Sequence, residues 1–279
     1  MATTSQAVGT NESDQPAADC PNCGAALTGK YCARCGQKRI DRRDLSVRRF
    51  FGHVINELTD LQSNKILRTF GALLFKPGQL TSEYLAGKKG FHIGPVRLYL
   101  TFSAIYFLFA WGALSDVRGG GAQRTSRVPI VIEMARKRNV DPLMFAERIH
   151  QRAERVAAAL RFVSVLVSGG FLALLYFRLR KYYVEHLIFS FHYYSFDFFC
   201  KSVFALLFVG AAALGTKVPS MVLNFFYPVA FVYLLLALRR VYRQTWPWTL
   251  LTSLILFAGE TALFFGVNIA GFFAAFAVA

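Results

Sequence analysis

Residues Trp248–Ala279 read WTLLTSLILFAGETALFFGVNIAGFFAAFAVA, with one charged residue, Glu260. A helix of about thirty residues rises roughly 45 Å, against a bilayer hydrocarbon core of about 30 Å. So long an apolar run predicts a membrane-spanning helix. Its excess length predicts that it tilts, bends near Gly259, Gly266 or Gly271, or projects beyond the bilayer. Glu260 is a functional candidate because ionisable groups at such depth are costly. The plainer alternative is a carboxyl hydrogen-bonded inside a helix bundle.

Four further stretches repeat this pattern upstream: Val96–Leu114, Val156–Phe177, a span near Phe198–Thr216, and Ser220–Leu238 with Pro228 inside it. The second is long enough if Arg161 snorkels outward. The whole composition agrees. The 279 residues are 54% hydrophobic, include 28 Phe and are only 17% charged, which excludes disorder and a soluble basic nucleic-acid binder. The mean hydropathy is +0.37 although the net charge is +16, so the charge must sit outside the bilayer. The fold class is an all-α polytopic membrane protein of about five transmembrane helices with a small N-terminal zinc ribbon.

The ribbon is read from Cys20-Pro-Asn-Cys23-Gly24 and Cys32-Ala-Arg-Cys35-Gly36-Gln37. A two-residue gap lets both thiolates of a CxxC knuckle face one ion. Gly24 and Gly36 permit a tight turn that aims N–H groups at sulfur, and Gly29 turns the connection between the knuckles. Four thiolates with no open position suit a structural Zn²⁺ site at Cys20, Cys23, Cys32 and Cys35, although iron is chemically allowed by the same set. Cys200 stands alone and reads as a buried, inert thiol.

Residues 1–19 carry no apolar run or basic start and read as a disordered tail on the cytoplasmic side. Residues 20–37 form the ribbon, 38–95 a basic interfacial segment, and 96–279 the membrane domain. In the interfacial segment Asp44 or Ser46 can cap an amphipathic helix carrying Leu45, Phe51, Val54, Leu58 and Leu61. Arg42, Arg43, Arg48 and Arg49 at its start point to anionic lipid head groups. A second apolar run ends at Lys76-Pro77-Gly78. Thr81 or Ser82 can then cap a short helix that Gly87 stops. Thirteen Lys/Arg face five acids between residues 20 and 95. That excess is first a positive-inside signal.

With the N-terminus in the cytoplasm, five spans put the C-terminus in the periplasm. Arg178, Arg180, Lys181, Arg239, Arg240 and Arg243 then fall inside, and Lys217 alone falls in the next outer loop. The external loop near 115–160 opposes this, with nine Lys/Arg against five acids. Gly119–Gly121 reads as its hinge. Asp141-Pro142 reads as a cap and first helical position, opening a helix that runs into the second span. Its seam of Ala146, Ile149, Ala153, Val156, Leu160, Val163 and Val167 has a 3.5-residue period. That suits packing on the protein's own helices or on a second copy.

The segment Tyr182–Asp197 places Glu185, His186, His192 and Asp197 among aromatics at the cytoplasmic membrane edge. His186 and His192 lie about 120° apart on a helix, which is poor for one metal. Asp197 and Lys201 sit one turn apart and can pair.

Taken together, the knuckles, NKILRTFGALLFKPGQLTSEYLAGKKG and YVEHLIFSFHYYSFDF resemble an uncharacterised bacterial family, domain-of-unknown-function family 3667. The resemblance implies a bacterial inner-membrane protein with a cytosolic zinc ribbon and no established activity, so it carries over no catalytic residues. Four functions remain open. The first is a non-enzymatic scaffold or adaptor whose ribbon docks a cytosolic protein. The others are a small transporter or channel using Glu260, a membrane enzyme at His186 and His192, and, least supported, a nucleic-acid binder.

Overall fold

The computed structural model describes residues 18–29, 31–37, 63–179, 182–216 and 220–278. The expected N-terminal tail up to residue 17, the amphipathic stretch capped by Asp44 or Ser46, and the turn at 217–219 lie outside the described residues.

The ribbon opens with two short antiparallel strands, β1 (Ala18–Asp19) and β2 (Ala26–Leu27), paired Ala18 to Leu27. Two short helices follow, α1 (Ser63–Phe75) and α2 (Gln79–Leu85). The turn between them is built on Gly78, whose φ of 75° favours a residue without a β-carbon. A β-carbon there would meet the Ala237 carbonyl oxygen at 2.8 Å. The neighbouring Pro77 carbonyl accepts a 2.9 Å hydrogen bond from Arg240 Nη1. Neither Thr81 nor Ser82 caps α2. The helix starts directly after Gly78 without a side-chain cap, and Thr81 lies inside it, fully buried. Gly87, with φ 86°, ends the segment as expected.

Among the described residues six further α-helices follow: α3 (Pro95–Thr125), α4 (Pro129–Lys137), α5 (Pro142–Leu175), α6 (Tyr183–Ala213), α7 (Ser220–Tyr242) and α8 (Trp246–Val278). Four of them are long and apolar enough to cross a bilayer, within Pro142–Leu175, Tyr183–Ala211, Phe225–Tyr242 and Trp246–Ala274. The chain is an integral membrane protein. The first expected span is a helix, but its described apolar part, Pro95–Phe109, is shorter than the other four. Gly119–Gly121 are not a hinge, because α3 continues through them to Thr125.

Asp141 caps α5 as its sequence predicts, accepting from Leu143 N at 2.8 Å and Met144 N at 3.1 Å. From that cap α5 runs unbroken into the membrane. Its seam holds only in the first half. Ala146, Ile149 and Ala153 pack with Val131 and Ala135 of α4, a helix that the sequence reading missed. Val163 and Val167 are half exposed, and Ser164, Val165, Ser168 and Leu172 face inward instead. An α-helix drifts by about 20° per heptad from a 3.5-residue seam. Past Ala153, α5 also meets different neighbours, α6 and α8.

The long α8 neither stops nor breaks at its glycines. Near its far end Phe272 packs on the α4–α5 cluster. Gly259 lets the Phe171 ring approach, since a β-carbon there would sit 2.9 Å from that ring. The largest departure concerns α6. It begins at Tyr183, well before Phe198, so the polar aromatic segment is the first half of the span. Leu187, Ser190 and Ser195 there are completely buried.

Because Gly78 combines a left-handed φ with backbone contact, Gly78→Ala should lower unfolding free energy in detergent by more than about 1 kcal/mol. Equal thermal midpoints for variant and parent would contradict this account of the turn.

Candidate metal centre and intramembrane polar site

In the ribbon, each knuckle closes on itself in the same way. Gly24 N donates to the Cys20 carbonyl and Gly36 N to the Cys32 carbonyl, both at 2.8 Å. Both glycines have positive φ, 73° and 70°. Their N–H groups therefore bind backbone, and the N–H groups that serve sulfur come from Ala25 and Gln37. The four sulfurs all lie within 4.8 Å of one another, with Cys20–Cys35 at 3.6 Å and Cys23–Cys32 at 3.5 Å. Tetrahedral ligands at about 2.3 Å from zinc stand roughly 3.8 Å apart, so the donor set fits such an ion.

Four sulfurs this close cannot all ionise without a cation. At Cys23 the Ala25 N–H favours the thiolate, but burial and the neighbouring sulfurs outweigh it and push the thiol up to about 12. At Cys35 the Asn22 amide and then the Gln37 N–H bring the thiol down to about 6. A bound metal ion would favour all four thiolates.

The ribbon is fastened to the membrane domain through the residue after its second knuckle. Gln37 Nε2 donates to the Gly87 carbonyl at 2.6 Å, and its Oε1 accepts from Lys89 N at 3.1 Å and Gly90 N at 3.0 Å. Asn22 also packs on Gly90, where a β-carbon would sit 2.7 Å from its amide nitrogen. One side chain thus saturates the turn between α2 and α3. Glu83 braces the same turn, accepting from Gln79 Nε2 at 2.6 Å and meeting His92 Nε2 at 2.5 Å. Burial raises the Glu83 carboxyl, but the bonds to Gln79 and His92 outweigh it and hold it below its usual value.

The polar residues of α6 do not form one centre. Glu185 lies in its first turn, where Oε1 accepts from Tyr182 N at 3.4 Å. His186 is buried, bonded through Nδ1 to the Tyr242 hydroxyl of α7 at 2.7 Å and stacked on that ring. His192 is bonded through Nδ1 to Thr81 Oγ1 of α2 at 3.0 Å. The two imidazoles are committed to different neighbours. Among the described residues, only the four cysteines gather three or more metal-ligating side chains. This segment forms the first half of α6. Its polar atoms are paired inside the bundle, as an apolar surrounding requires.

Asp197 and Glu260 do converge. They line a chamber of about 100 Å³ to which α3, α5, α6, α7 and α8 all contribute. Lys201 Nζ holds Asp197 Oδ2 at 2.5 Å, the pair expected one turn apart. Glu260 accepts a hydrogen bond from the Tyr194 hydroxyl. Arg161, expected to snorkel outward, lines the same chamber. Its place was hidden in the sequence because snorkelling and inward-facing arginines share one signature, a lone charge inside an apolar run.

Residues 64–107 match the model of a family described as a protein of unknown function (DUF3667), so the family resemblance holds over this segment. The matched segment comprises α1, α2 and the start of α3, including the Gly78 turn, Thr81, Glu83 and His92. No curated protein and no solved structure matches the chain.

Two measurements check this geometry. Gln37→Ala removes three hydrogen bonds, each worth about 1 kcal/mol. Amide exchange at Lys89 and Gly90 should accelerate at least about tenfold, and unchanged protection would contradict the clamp. Glu83 is depressed in the fold, so its contribution is present above its unfolded value and lost as pH falls through its folded one. The parent protein should lose thermal stability below about pH 4.5 more steeply than Glu83→Gln, and parallel profiles would contradict the brace.

Proposed function

We propose that this chain is a multi-pass protein of the bacterial inner membrane that acts as a non-enzymatic adaptor. Its N-terminal ribbon holds a structural zinc ion and docks a cytosolic protein. The observation that carries this reading is the Gln37 clamp, which fixes a closed four-cysteine site onto the first turns of the membrane domain. A ribbon held rigidly can present one face to a partner at low entropic cost. The clamp uses the side of Asn22 and Gln37, whereas Tyr31 is 63% exposed and free to serve as an anchor. The zinc supplies folding free energy to a unit too small to hold a core, and no open ligand position is needed.

In this reading the ribbon and the basic residues Lys65, Arg68, Lys76 and Lys88 face the cytoplasm and its anionic head groups. With α3 counted as a crossing, the chain traverses the bilayer five times and α8 ends in the periplasm. The exposed apolar side chains of α8, such as Leu250, Leu254, Ile269 and Phe273, then meet lipid. An enzyme centred on His186 and His192 is disfavoured, because each imidazole is engaged elsewhere.

The test uses the full chain in membranes. Metal analysis of the purified protein should give about one zinc per chain. Tyr31→Ala should keep that zinc yet lose the cross-linked partner, and Cys32→Ala with Cys35→Ala should lose both. Identical partner sets for all three proteins would contradict the adaptor role, and iron in place of zinc would contradict the metal assignment.

A further inference from the structure

The chamber around Glu260 contains two carboxylates and two cations, but only one pair is joined. Lys201 and Asp197 neutralise each other. Arg161 and Glu260 face the same chamber and form no ion pair with each other or with any other described residue. Their remaining contacts are weak or neutral. Arg161 reaches the Tyr106 hydroxyl at 3.4 Å and Asn268 Oδ1 at 3.5 Å, both long bonds. Its guanidinium carbon lies 5.7 Å from the centre of the Tyr106 ring and 5.6 Å from that of Phe264. Arg161 Nε is buried and has no hydrogen-bond partner among the described residues. Glu260 is hydrogen-bonded to the neutral Tyr194 hydroxyl and the Ser168 side chain, and the nearby Asp197 and Lys201 charges act on it in opposite senses.

Opposite charges in a low-dielectric interior are costly unless each is compensated at close range. Direct contact between Arg161 and Glu260 would have been the simplest solution, and the helices do not adopt it. Instead, empty volume is left on the face that both charges share. The Arg161 guanidinium lines that volume and can receive an anionic group there, and Glu260, which lines it too, can receive an ammonium.

We propose that this chamber is a binding site for a small zwitterion of the α-amino-acid class, with its carboxylate on Arg161 and its ammonium on Glu260. A volume near 100 Å³ admits on the order of half a dozen heavy atoms, the size of glycine or alanine. A purely anionic ligand would leave Glu260 uncompensated, and a purely cationic one would leave Arg161 so. The Lys201–Asp197 pair walls the chamber without changing its net charge. The site lies among α5, α6 and α8, away from the ribbon, and its occupancy does not depend on the adaptor reading.

The experiment is equilibrium binding of labelled glycine to the full chain in nanodiscs, with acetate and methylammonium as competitors. Glycine should bind, and alanine should compete. Acetate and methylammonium should each compete at least tenfold more weakly, because each satisfies one charge only. Glu260→Gln and Arg161→Gln should each weaken glycine binding at least tenfold. If either variant fails to fold, the competitor series on the parent protein decides the matter alone. No glycine binding up to millimolar concentration, acetate competing as well as alanine, or unchanged binding in both folded variants would overturn the proposal.

Discussion

A polar group inside a bilayer must find its hydrogen-bond partner within the protein, and α6 turns that constraint into architecture. Its first half carries two histidines, three serines or carboxylates facing inward, and several tyrosines. Some bond within α6, Ser195 to the Phe191 carbonyl and Asp197 to Lys201, and others reach different neighbouring elements. His186 reaches Tyr242 of α7, Ser190 reaches Ser168 of α5, His192 reaches Thr81 of α2, and Tyr194 reaches Glu260 of α8. A helix with such varied obligations can sit in one rotation and at one depth only. The aromatic packing around it follows, with Phe196 stacked on Tyr233 at 3.6 Å and Tyr99 ringed by Phe191, Phe198 and Tyr194.

The chain of restraint then runs outward. Thr81 ties α2 to α6, and α2 ends in the turn that Gln37 saturates. The ribbon is thereby connected to the centre of the bundle through one short helix. Thr69 adds a parallel tie, accepting from Ile93 N at 3.1 Å and so holding the start of α3 to α1. The segment matched by the family model is this connecting piece, which joins the metal-binding knuckles to the membrane helices.

Local features of this fold were legible in the sequence. The apolar runs marked the long helices, Asp141-Pro142 marked the start of α5, and Gly87 marked a stop. The CxxC spacing brought four sulfurs together, and the Asp197–Lys201 interval formed its pair. These features depend on residues within a few positions of each other. What was missed depends on partners far along the chain. The burial of His186 and His192 needed Tyr242 and Thr81, which no local pattern connects to them. Arg161 faced inward because Tyr106, Phe264 and Asn268 surround it, and Gln37 became a clamp only because the turn at Gly87–Gly90 lies beneath it. Gly119–Gly121 were misread for the opposite reason, since glycine propensity yielded to the surrounding helix.

The claim at the centre is that α6 is held in place by polar ties to its neighbours. The bond between His192 and Thr81 is its most direct instance, because it joins the family-matched segment to the core. A double-mutant cycle with Thr81→Val and His192→Leu, read from reversible unfolding in detergent, measures that tie alone. The two changes should be coupled by roughly 0.6–1.7 kcal/mol, the range for hydrogen bonds between membrane helices. Strict additivity of the two destabilisations would contradict the account.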